Sequence, residues 1–139
     1  MASKHDARPR DDANHCFVCG PDNPQGLRVR FRLEDDLCKA EYEPNEYQCG
    51  YDGVVHGGII FSLLDDVMAN RLFLEGERAY TGKCEIRYRE PATVGTRLLL
   101  EGELIARRGR HAQLAGRVRH PADGRILAEA EATFLVAKS

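Results

Sequence analysis

The chain has 139 residues, of which 42% are hydrophobic and 30% are charged, and its formal net charge is −2. This length suits one domain with a single core, and the weakly acidic balance gives no electrostatic reason to expect nucleic acid or an anionic membrane as a partner. No apolar run reaches the length of a membrane span, and the polar N-terminus has no apolar signal segment. The five cysteines are an odd number, which favours reduced thiols in the cytoplasm over a disulfide framework.

The first half of the chain predicts a tail, two strands and a helix. Residues 1–14 are polar and without period, which predicts a mobile tail, and residues 15–139 then form a single domain. Strict alternation over 27–33 predicts a strand, and a second strand follows over 37–43. A loop leads to a helix over 56–74 that is apolar on nearly every side, which is typical of a buried helix.

The second half of the chain predicts four strands joined by hairpins. One face of the first strand carries Tyr80, Cys84, Ile86 and Tyr88, and strands near 96–107, 112–119 and 126–137 follow at turn signals. This order predicts an α+β fold in which a curved antiparallel sheet of about six strands wraps around one long buried helix. A single layer of this kind leaves a sheet face and edge strands open, so we expect a homo-oligomer, either a dimer or a tetramer of dimers.

The start of the helix combines two glycines with a carboxylate two turns further in. Gly57 and Gly58 let a ligand approach free backbone N–H groups at the positive end of the helix dipole. Asp65 has mostly apolar neighbours at helical spacing and is a candidate base or nucleophile, whereas Asp66 lies on a polar stripe with Asn70. The alternative for Asp65 is a buried structural acid. Together the glycines and this carboxylate point to acyl transfer.

Several segments resemble a known protein family. The stretch 48–58, Gln-Cys-Gly-Tyr-Asp-Gly-Val-Val-His-Gly-Gly, and the stretch 62–69, Ser-Leu-Leu-Asp-Asp-Val-Met-Ala, resemble the hotdog-fold acyl-CoA thioesterases. They are similar in particular to the phenylacetate-pathway type of the 4-hydroxybenzoyl-CoA thioesterase superfamily. The stretch 86–92 and the pair Val94-Gly95 resemble the strand and turn that follow the helix in that family. The resemblance implies a hotdog fold and hydrolysis of an acyl-CoA thioester to a free acid and coenzyme A, without metal or cofactor.

The resemblance also implies a role for each site residue. Asp65 is the catalytic carboxylate, acting either as general base on a water or as nucleophile on the thioester carbon. The backbone N–H of Gly57, with that of Gly58, holds the carbonyl oxygen as it becomes negative. Thr81 matches a Ser or Thr that helps to orient the water. His56 either contacts the carbonyl or, as we prefer, hydrogen-bonds the preceding loop and so holds these N–H groups in place. In this family the site lies across a dimer interface, so Asp65 and His56 are expected to serve one substrate from opposite subunits.

Candidate substrate-binding residues come from three places. Gln48 substitutes for a polar residue that the family has in the loop before the helix, because the matching position here is Gly50. Phe61 and Met68 are candidates to line an acyl pocket, which suits aromatic or medium-chain groups equally. A basic hairpin carries three arginines, Arg107, Arg108 and Arg110. This hairpin is either a solvated turn or a site for the phosphates of coenzyme A.

The segment His15-Cys16-Phe-Val-Cys19-Gly20 has the spacing of zinc ligands but is not accompanied by a second pair of cysteines. Either His15 and Cys49 complete a zinc site, or the cysteines are small buried side chains in a tight turn. A similar lead-in occurs in a subset of the resembling family, where it implies a fixed wall of the site. We assign no metal to this segment.

Two other functions remain as alternatives. The first is an acyl-CoA-binding or sensing module that does not hydrolyse its ligand, and the carboxylate at position 65 argues against it. The second is a hotdog hydratase or dehydratase, whose hydration motif is missing from this sequence.

Overall fold

The computed structural model describes residues 12–138, which form one helix and one antiparallel sheet. The strands are β1 (Arg32–Glu34), β2 (Leu37–Tyr42), β3 (Ala79–Tyr88), β4 (Leu98–Arg108), β5 (His111–Arg119) and β6 (Ile126–Val136). The helix α1 (Gly57–Phe73) lies between β2 and β3 in the chain, after a short 3₁₀ helix (Glu46–Gln48). The strand order is β1-β2-β4-β5-β6-β3, and α1 contacts every strand from β2 to β6. The predicted α+β fold is confirmed.

A row of small residues lets α1 lie directly on the sheet. Gly102 of β4 is paired with Cys38 on one side and with Gly116 on the other, and Gly116 is paired with Ala130. A Cβ atom at Gly102 would lie 2.4 Å from the carbonyl oxygen of Val67. The helix backbone therefore touches the strand, and any side chain larger than hydrogen would push the two apart.

The core lies between α1 and the inner face of the sheet. The helix contributes Leu63, Leu64, Val67, Met68 and Leu72, each with at most 1% of its surface exposed. Because most sides of the helix are covered, its apolar residues show no amphipathic stripe, which is the pattern that the sequence predicts for a buried helix.

The first predicted strand is shorter than expected. Only Arg32–Glu34 of this region is paired as a strand, although Val29 and Phe31 are buried as the alternation predicts. The N–H groups of Leu27 and Val29 donate instead to the carbonyl oxygens of Phe17 and Val18. The segment 27–31 is therefore held by the N-terminal turn and not by a neighbouring strand.

The predicted side-chain alternation of β3 is wrong at its beginning. The register between β3 and β6 shifts between Thr81 and Lys83, so Gly82 lies in a bulge. A bulge reverses the side-chain alternation beyond it. Tyr80 is consequently 57% exposed, whereas Thr81 contacts α1, as described below.

The outer face of the sheet carries ion pairs between neighbouring strands. Its pairs include Arg32 with Glu41, Arg117 with Glu101 and Glu103, and Arg119 with Glu101. Burial raises the pKa of Glu101, but hydrogen bonds from Arg117 and Arg119 more than offset this effect and lower it. Because this face is polar, burial of apolar surface does not favour its packing against a second sheet. Association between chains is therefore favoured only through the edge strands.

Three further predictions concern the N-terminal tail, the cysteines and the absence of a membrane span. Most of the predicted N-terminal tail, residues 1–11, lies outside the described residues, and so does residue 139. None of the five cysteines, all of which lie in the described part of the chain, forms a disulfide. Within the described part of the chain, no helix combines the length and the apolar character that a membrane span needs.

Candidate active site

Asp65 lies on α1 and contacts strand β3. Its Oδ1 atom accepts a hydrogen bond of 2.6 Å from the hydroxyl of Thr81, and its side chain is half-buried. The bulge at Gly82 makes this contact possible, because it turns Thr81 toward the helix. The hydroxyl engages one carboxylate oxygen and leaves Oδ2 available to another partner.

A thiol also lies close to this carboxylate. Burial raises the pKa of Cys84, and the negative charge of Asp65 raises it further. The thiol therefore stays protonated and neutral beside Asp65. The residues that surround the carboxylate are a hydroxyl and a neutral thiol, and no described cation is paired with it. The half-buried carboxylate with its hydroxyl partner does not fit the buried structural acid considered above as an alternative.

The start of α1 presents one free backbone donor. Nδ1 of His56 accepts a hydrogen bond of 2.8 Å from the N–H of Gly58, so His56 caps the helix and carries no proton on that nitrogen. The N–H of Gly57 has no acceptor among residues 12–138, and Gly57 is exposed. The expected pair of donors is therefore reduced to Gly57, because the capping histidine already uses the N–H of Gly58.

Tyr88 fixes the same end of the helix from strand β3. Its hydroxyl donates a hydrogen bond of 2.8 Å to the carbonyl oxygen of Gly57. Burial raises the pKa of Tyr88, and Cys84 contributes in the same direction, so the hydroxyl keeps its proton for this bond. The sequence pattern placed Tyr88 on the same face of its strand as Cys84 and Ile86 but did not identify it as a site residue.

A cavity of about 270 Å³ opens beside Gly57. Its lining is mostly apolar and includes Val55, Ile60, Tyr88 and Ala128. This cavity places the free N–H of Gly57 next to a surface that suits the apolar part of a ligand.

Gln48 holds the loop in front of the helix. Its Oε1 atom accepts hydrogen bonds from the hydroxyl of Tyr42 at 2.8 Å and from the N–H of Asn45 at 3.1 Å. Its backbone carbonyl accepts from the N–H of His56 at 2.9 Å. Gln48 thus positions the capping histidine, and its contact with substrate stays a prediction.

The two predicted acyl-pocket residues differ in their surroundings. Met68 is completely buried, and its side chain packs against Gly116 of the sheet, so within this chain it is a core residue that no ligand reaches. Phe61 is half-buried on α1. The apolar spacing that suggested Met68 as a pocket residue is also the spacing of residues on a helix face that packs against a sheet.

The arginines of the β4–β5 hairpin have separate partners. Arg107 forms a bidentate ion pair with Glu77, at 2.6 and 2.7 Å, and this contact lowers the pKa of Glu77. Arg110 donates to the carbonyl oxygen of Val136 at 2.9 Å. Arg108 is exposed and has no partner among the described residues. Among the described residues, Arg107 has its terminal nitrogens paired with Glu77, Arg110 uses only its Nε atom, and Arg108 keeps its whole guanidinium for a phosphate.

The polar stripe predicted around Asp66 exists, but it faces the N-terminal turn. Asn70 donates to Oδ2 of Asp66 at 3.1 Å, and the thiol of Cys16 lies 3.8 Å from Oδ1. Asp66 is thus enclosed by residues of the same chain, while Asp65 is the carboxylate that faces the edge strand.

One family model matches this chain over most of its folded part. The family model of the thioesterase superfamily matches residues 52–127, which is more than half of the sequence. No curated protein matches the chain.

Solved structures share the fold. A crystal structure of a thioesterase superfamily protein is 29% identical, with a TM-score of 0.81; the match covers 88% of this chain but only 60% of that protein's length. A phenylacetic acid degradation-related thioesterase of Ralstonia eutropha JMP134 is 24% identical, with a TM-score of 0.70, over 78% of this chain and 85% of that one. A protein of Streptococcus mutans UA159 bound to acetyl CoA is 22% identical, with a TM-score of 0.73, over 80% of this chain and 90% of that one. The predicted hotdog fold is therefore confirmed.

Proposed function

The chain belongs to the thioesterase superfamily, and from this premise we propose that it hydrolyses the thioester of an acyl-CoA to a free acid and coenzyme A. The observation that carries the proposal is the half-buried Asp65 carboxylate, which is hydrogen-bonded to Thr81 and has no cationic partner among the described residues. The crystal structure of the Streptococcus mutans protein with acetyl CoA supports coenzyme A thioesters as the substrate class.

In the proposed reaction, Oδ2 of Asp65 takes a proton from a water while that water attacks the thioester carbon. The carbonyl oxygen becomes negative and accepts a hydrogen bond from the free N–H of Gly57. Loss of such a donor in comparable sites costs about 3–4 kcal/mol of transition-state stabilisation. The carbon–sulfur bond then breaks, and the thiolate of coenzyme A leaves and takes up a proton. Direct attack by the carboxylate, followed by hydrolysis of the anhydride, gives the same products.

The two halves of this site come from different chains. Gly57 and Asp65 are eight positions apart on α1, which separates them by about 12 Å along the axis and about 80° around it. A thioester carbonyl with one attacking water spans only about 8 Å between an N–H donor and a carboxylate. We therefore infer that Gly57 of one protomer and Asp65 of its partner act on the same substrate.

The edge strand β3 offers the contact that brings these halves together. It pairs only with β6, and its other edge is open in the described chain. Antiparallel pairing of two copies about a two-fold axis at Glu85 sets Thr81 of one copy opposite Tyr88 of the other, because the bulge takes Gly82 out of the register. Because Thr81 holds Asp65 and Tyr88 holds Gly57, this pairing unites both parts of the site.

The remaining parts of the proposal concern the substrate and its surroundings. The cavity beside Gly57 accepts the apolar part of the substrate. Arg108 binds a phosphate of coenzyme A on the surface. Five cysteines without a disulfide suit a reducing compartment such as the cytoplasm. A dimer joined through β3 is the active unit.

The test is release of free thiol from a panel of acyl-CoA substrates. We expect turnover by the wild-type protein with at least one aromatic or medium-chain substrate, and its loss in Asp65→Asn with folding and acyl-CoA binding retained. Binding without turnover by the wild-type protein would contradict the proposal and identify a binding module instead.

A further inference from the structure

Two cysteines of the N-terminal turn and one carboxylate of α1 form a cluster outside the proposed catalytic site. The ligand atoms of Cys16, Cys19 and Asp66 all lie within 4.8 Å of one another. The Cys16 thiol is 3.8 and 3.9 Å from the two oxygens of Asp66, although 50 positions separate these residues in the chain. The cluster thus joins the turn to the helix.

The turn that carries both thiols is tightly built. The N–H of Cys19 donates to Sγ of Cys16 at 3.5 Å, and the N–H of Gly20 donates to the carbonyl oxygen of Cys16 at 2.9 Å. A Cβ atom at Gly20 would lie 2.3 Å from the backbone nitrogen of Cys16. Only glycine fits there, so the turn holds both sulfur atoms on one side.

A buried amide borders the cluster and is not fully satisfied. Asn70 is only 3% exposed, and its Nδ2 atom donates to Oδ2 of Asp66 and lies 3.7 Å from Sγ of Cys19. Its Oδ1 atom is buried and has no hydrogen-bond partner within the described residues. Nδ2 also donates to the backbone carbonyl oxygen of Asp66 at 2.9 Å, so the amide is held against the residue that carries the carboxylate of the cluster.

The cluster offers ligand types that zinc takes in proteins. Cysteine sulfur and carboxylate oxygen are both common zinc ligands, and a bound divalent ion keeps its thiol ligands deprotonated.

A cavity of about 230 Å³ adjoins the cluster and is lined by all three of these residues, together with Asn70, Arg78 and Tyr80. An ion can therefore enter, and a water in the cavity can complete its coordination.

We propose that Cys16, Cys19 and Asp66 bind one zinc ion, which fastens the N-terminal turn to helix α1. A tetrahedron with Zn–S near 2.3 Å and Zn–O near 2.0 Å has edges of about 3.8 Å between sulfurs and about 3.5 Å between sulfur and oxygen. The Cys16 Sγ to Asp66 Oδ1 distance of 3.8 Å is close to the second value. Shifts below about 1 Å bring the other ligand atoms to these distances.

This ligand set differs from the one that the sequence suggested. His15 and Cys49 are not part of the cluster, and the third ligand is a helical carboxylate. The spacing of the cysteines pointed to the turn, but only the structure shows that Asp66 of α1 lies next to it.

The direct test is zinc binding by chelator-stripped wild-type protein in competition with a chromophoric zinc chelator. We expect one ion per chain, and with cobalt in place of zinc we expect the sulfur-to-metal charge-transfer absorption of thiolate ligands. Affinity should fall as the pH is lowered, because protons compete for the thiols. Failure of the wild-type protein to bind zinc, or cobalt binding without that absorption, overturns the proposal.

Variants assign the ligands. Cys16→Ser and Asp66→Asn should each weaken zinc binding at least about 100-fold, since even outer-shell changes cost 10- to 100-fold. Cys49→Ser is the matched control and should bind as the wild type does. Zinc should raise the melting temperature of the wild type and of Cys49→Ser but not of Cys16→Ser. Equal binding by Cys16→Ser and the control would show that the ion binds elsewhere.

Discussion

Asp65 and Asp66 are adjacent on α1, yet their carboxylates lie against different parts of the chain. Asp65 accepts a hydrogen bond from Thr81 of the edge strand, while Asp66 faces Cys16 of the N-terminal turn and pairs with Asn70. Neighbouring helical positions point about 100° apart, which is enough to place one carboxylate at an open edge and the other within the protein.

This difference predicts unequal effects of the same substitution. Asp65→Asn keeps the shape of the side chain but removes the base or nucleophile, so kcat should fall about 10²- to 10⁴-fold. Asp66→Asn should keep activity within about tenfold, because its carboxylate does not face the proposed site. Steady-state kinetics on both variants, with circular dichroism to confirm folding, makes the comparison. Equal losses would contradict the assignment of Asp65.

The role of Gly57 is separable from the helix that it starts. Gly57→Pro removes the free N–H, and proline is well tolerated at the first position of a helix. We expect kcat to fall about 10²- to 10³-fold. Gly57→Ala is the control because it keeps the N–H and places its Cβ 3.5 Å from the Tyr88 hydroxyl, which is an ordinary contact. If both variants lose activity equally, crowding and not the lost donor explains the defect.

A site shared between two chains predicts rescue in mixed oligomers. Asp65→Asn and Gly57→Pro chains are each inactive alone, but a hybrid dimer has one site with both changes and one with neither. Unfolding and refolding an equal mixture should restore about a quarter of the wild-type activity. Activity of the mixture no greater than the mean of the two variants would place both groups in a single chain and refute pairing through β3.

Arg108 should affect binding and leave the chemistry alone. Arg108→Gln should raise KM for acyl-CoA with little change in kcat, because the nucleotide is remote from the reacting carbon. The effect should shrink at high salt and disappear with a pantetheine thioester that lacks the nucleotide. Arg125→Gln, at a different turn, is the matched control. A higher KM for the pantetheine substrate would indicate a structural role.

Gly102 should tolerate no side chain. Gly102→Ala places a Cβ against the backbone of Val67 and should lower the free energy of unfolding by about 3 kcal/mol. Gly50→Ala meets only His56, at 3.6 Å, and should change it by about 0.5 kcal/mol or less. Urea denaturation of both variants provides the measurement. Similar stability of the two would mean that α1 can move away from the sheet without cost.

Hydrophobic patterning was sufficient for the fold of this chain. The helix predicted over 56–74 is α1 (Gly57–Phe73), and the apolar alternation of the later strands predicts β4 to β6 within a few residues. The bulge at Gly82 was not predictable, because a single extra residue changes the alternation without altering the apolar composition of the strand. This one residue decides whether Thr81 or Tyr80 faces the helix.

The candidate site was predictable where it depends on local geometry. The distance from the helix start to Asp65 follows from the sequence alone. The partners of Gln48, Met68 and Arg107 do not, because they come from the loop, the sheet and the end of the helix. The contact between Cys16 and Asp66 was equally hidden, since it depends on how a turn without regular structure lies on α1.

The row of small residues on which α1 lies has a consequence during synthesis of the chain. Its row of small residues lies at positions 38, 102, 116 and 130, and three of these four follow the helix in the chain. During synthesis helix α1 therefore leaves the ribosome before strands β4, β5 and β6, which cover it. A nascent chain that ends before β4 therefore exposes apolar residues of α1, such as Leu63 and Leu72, which the complete protein buries.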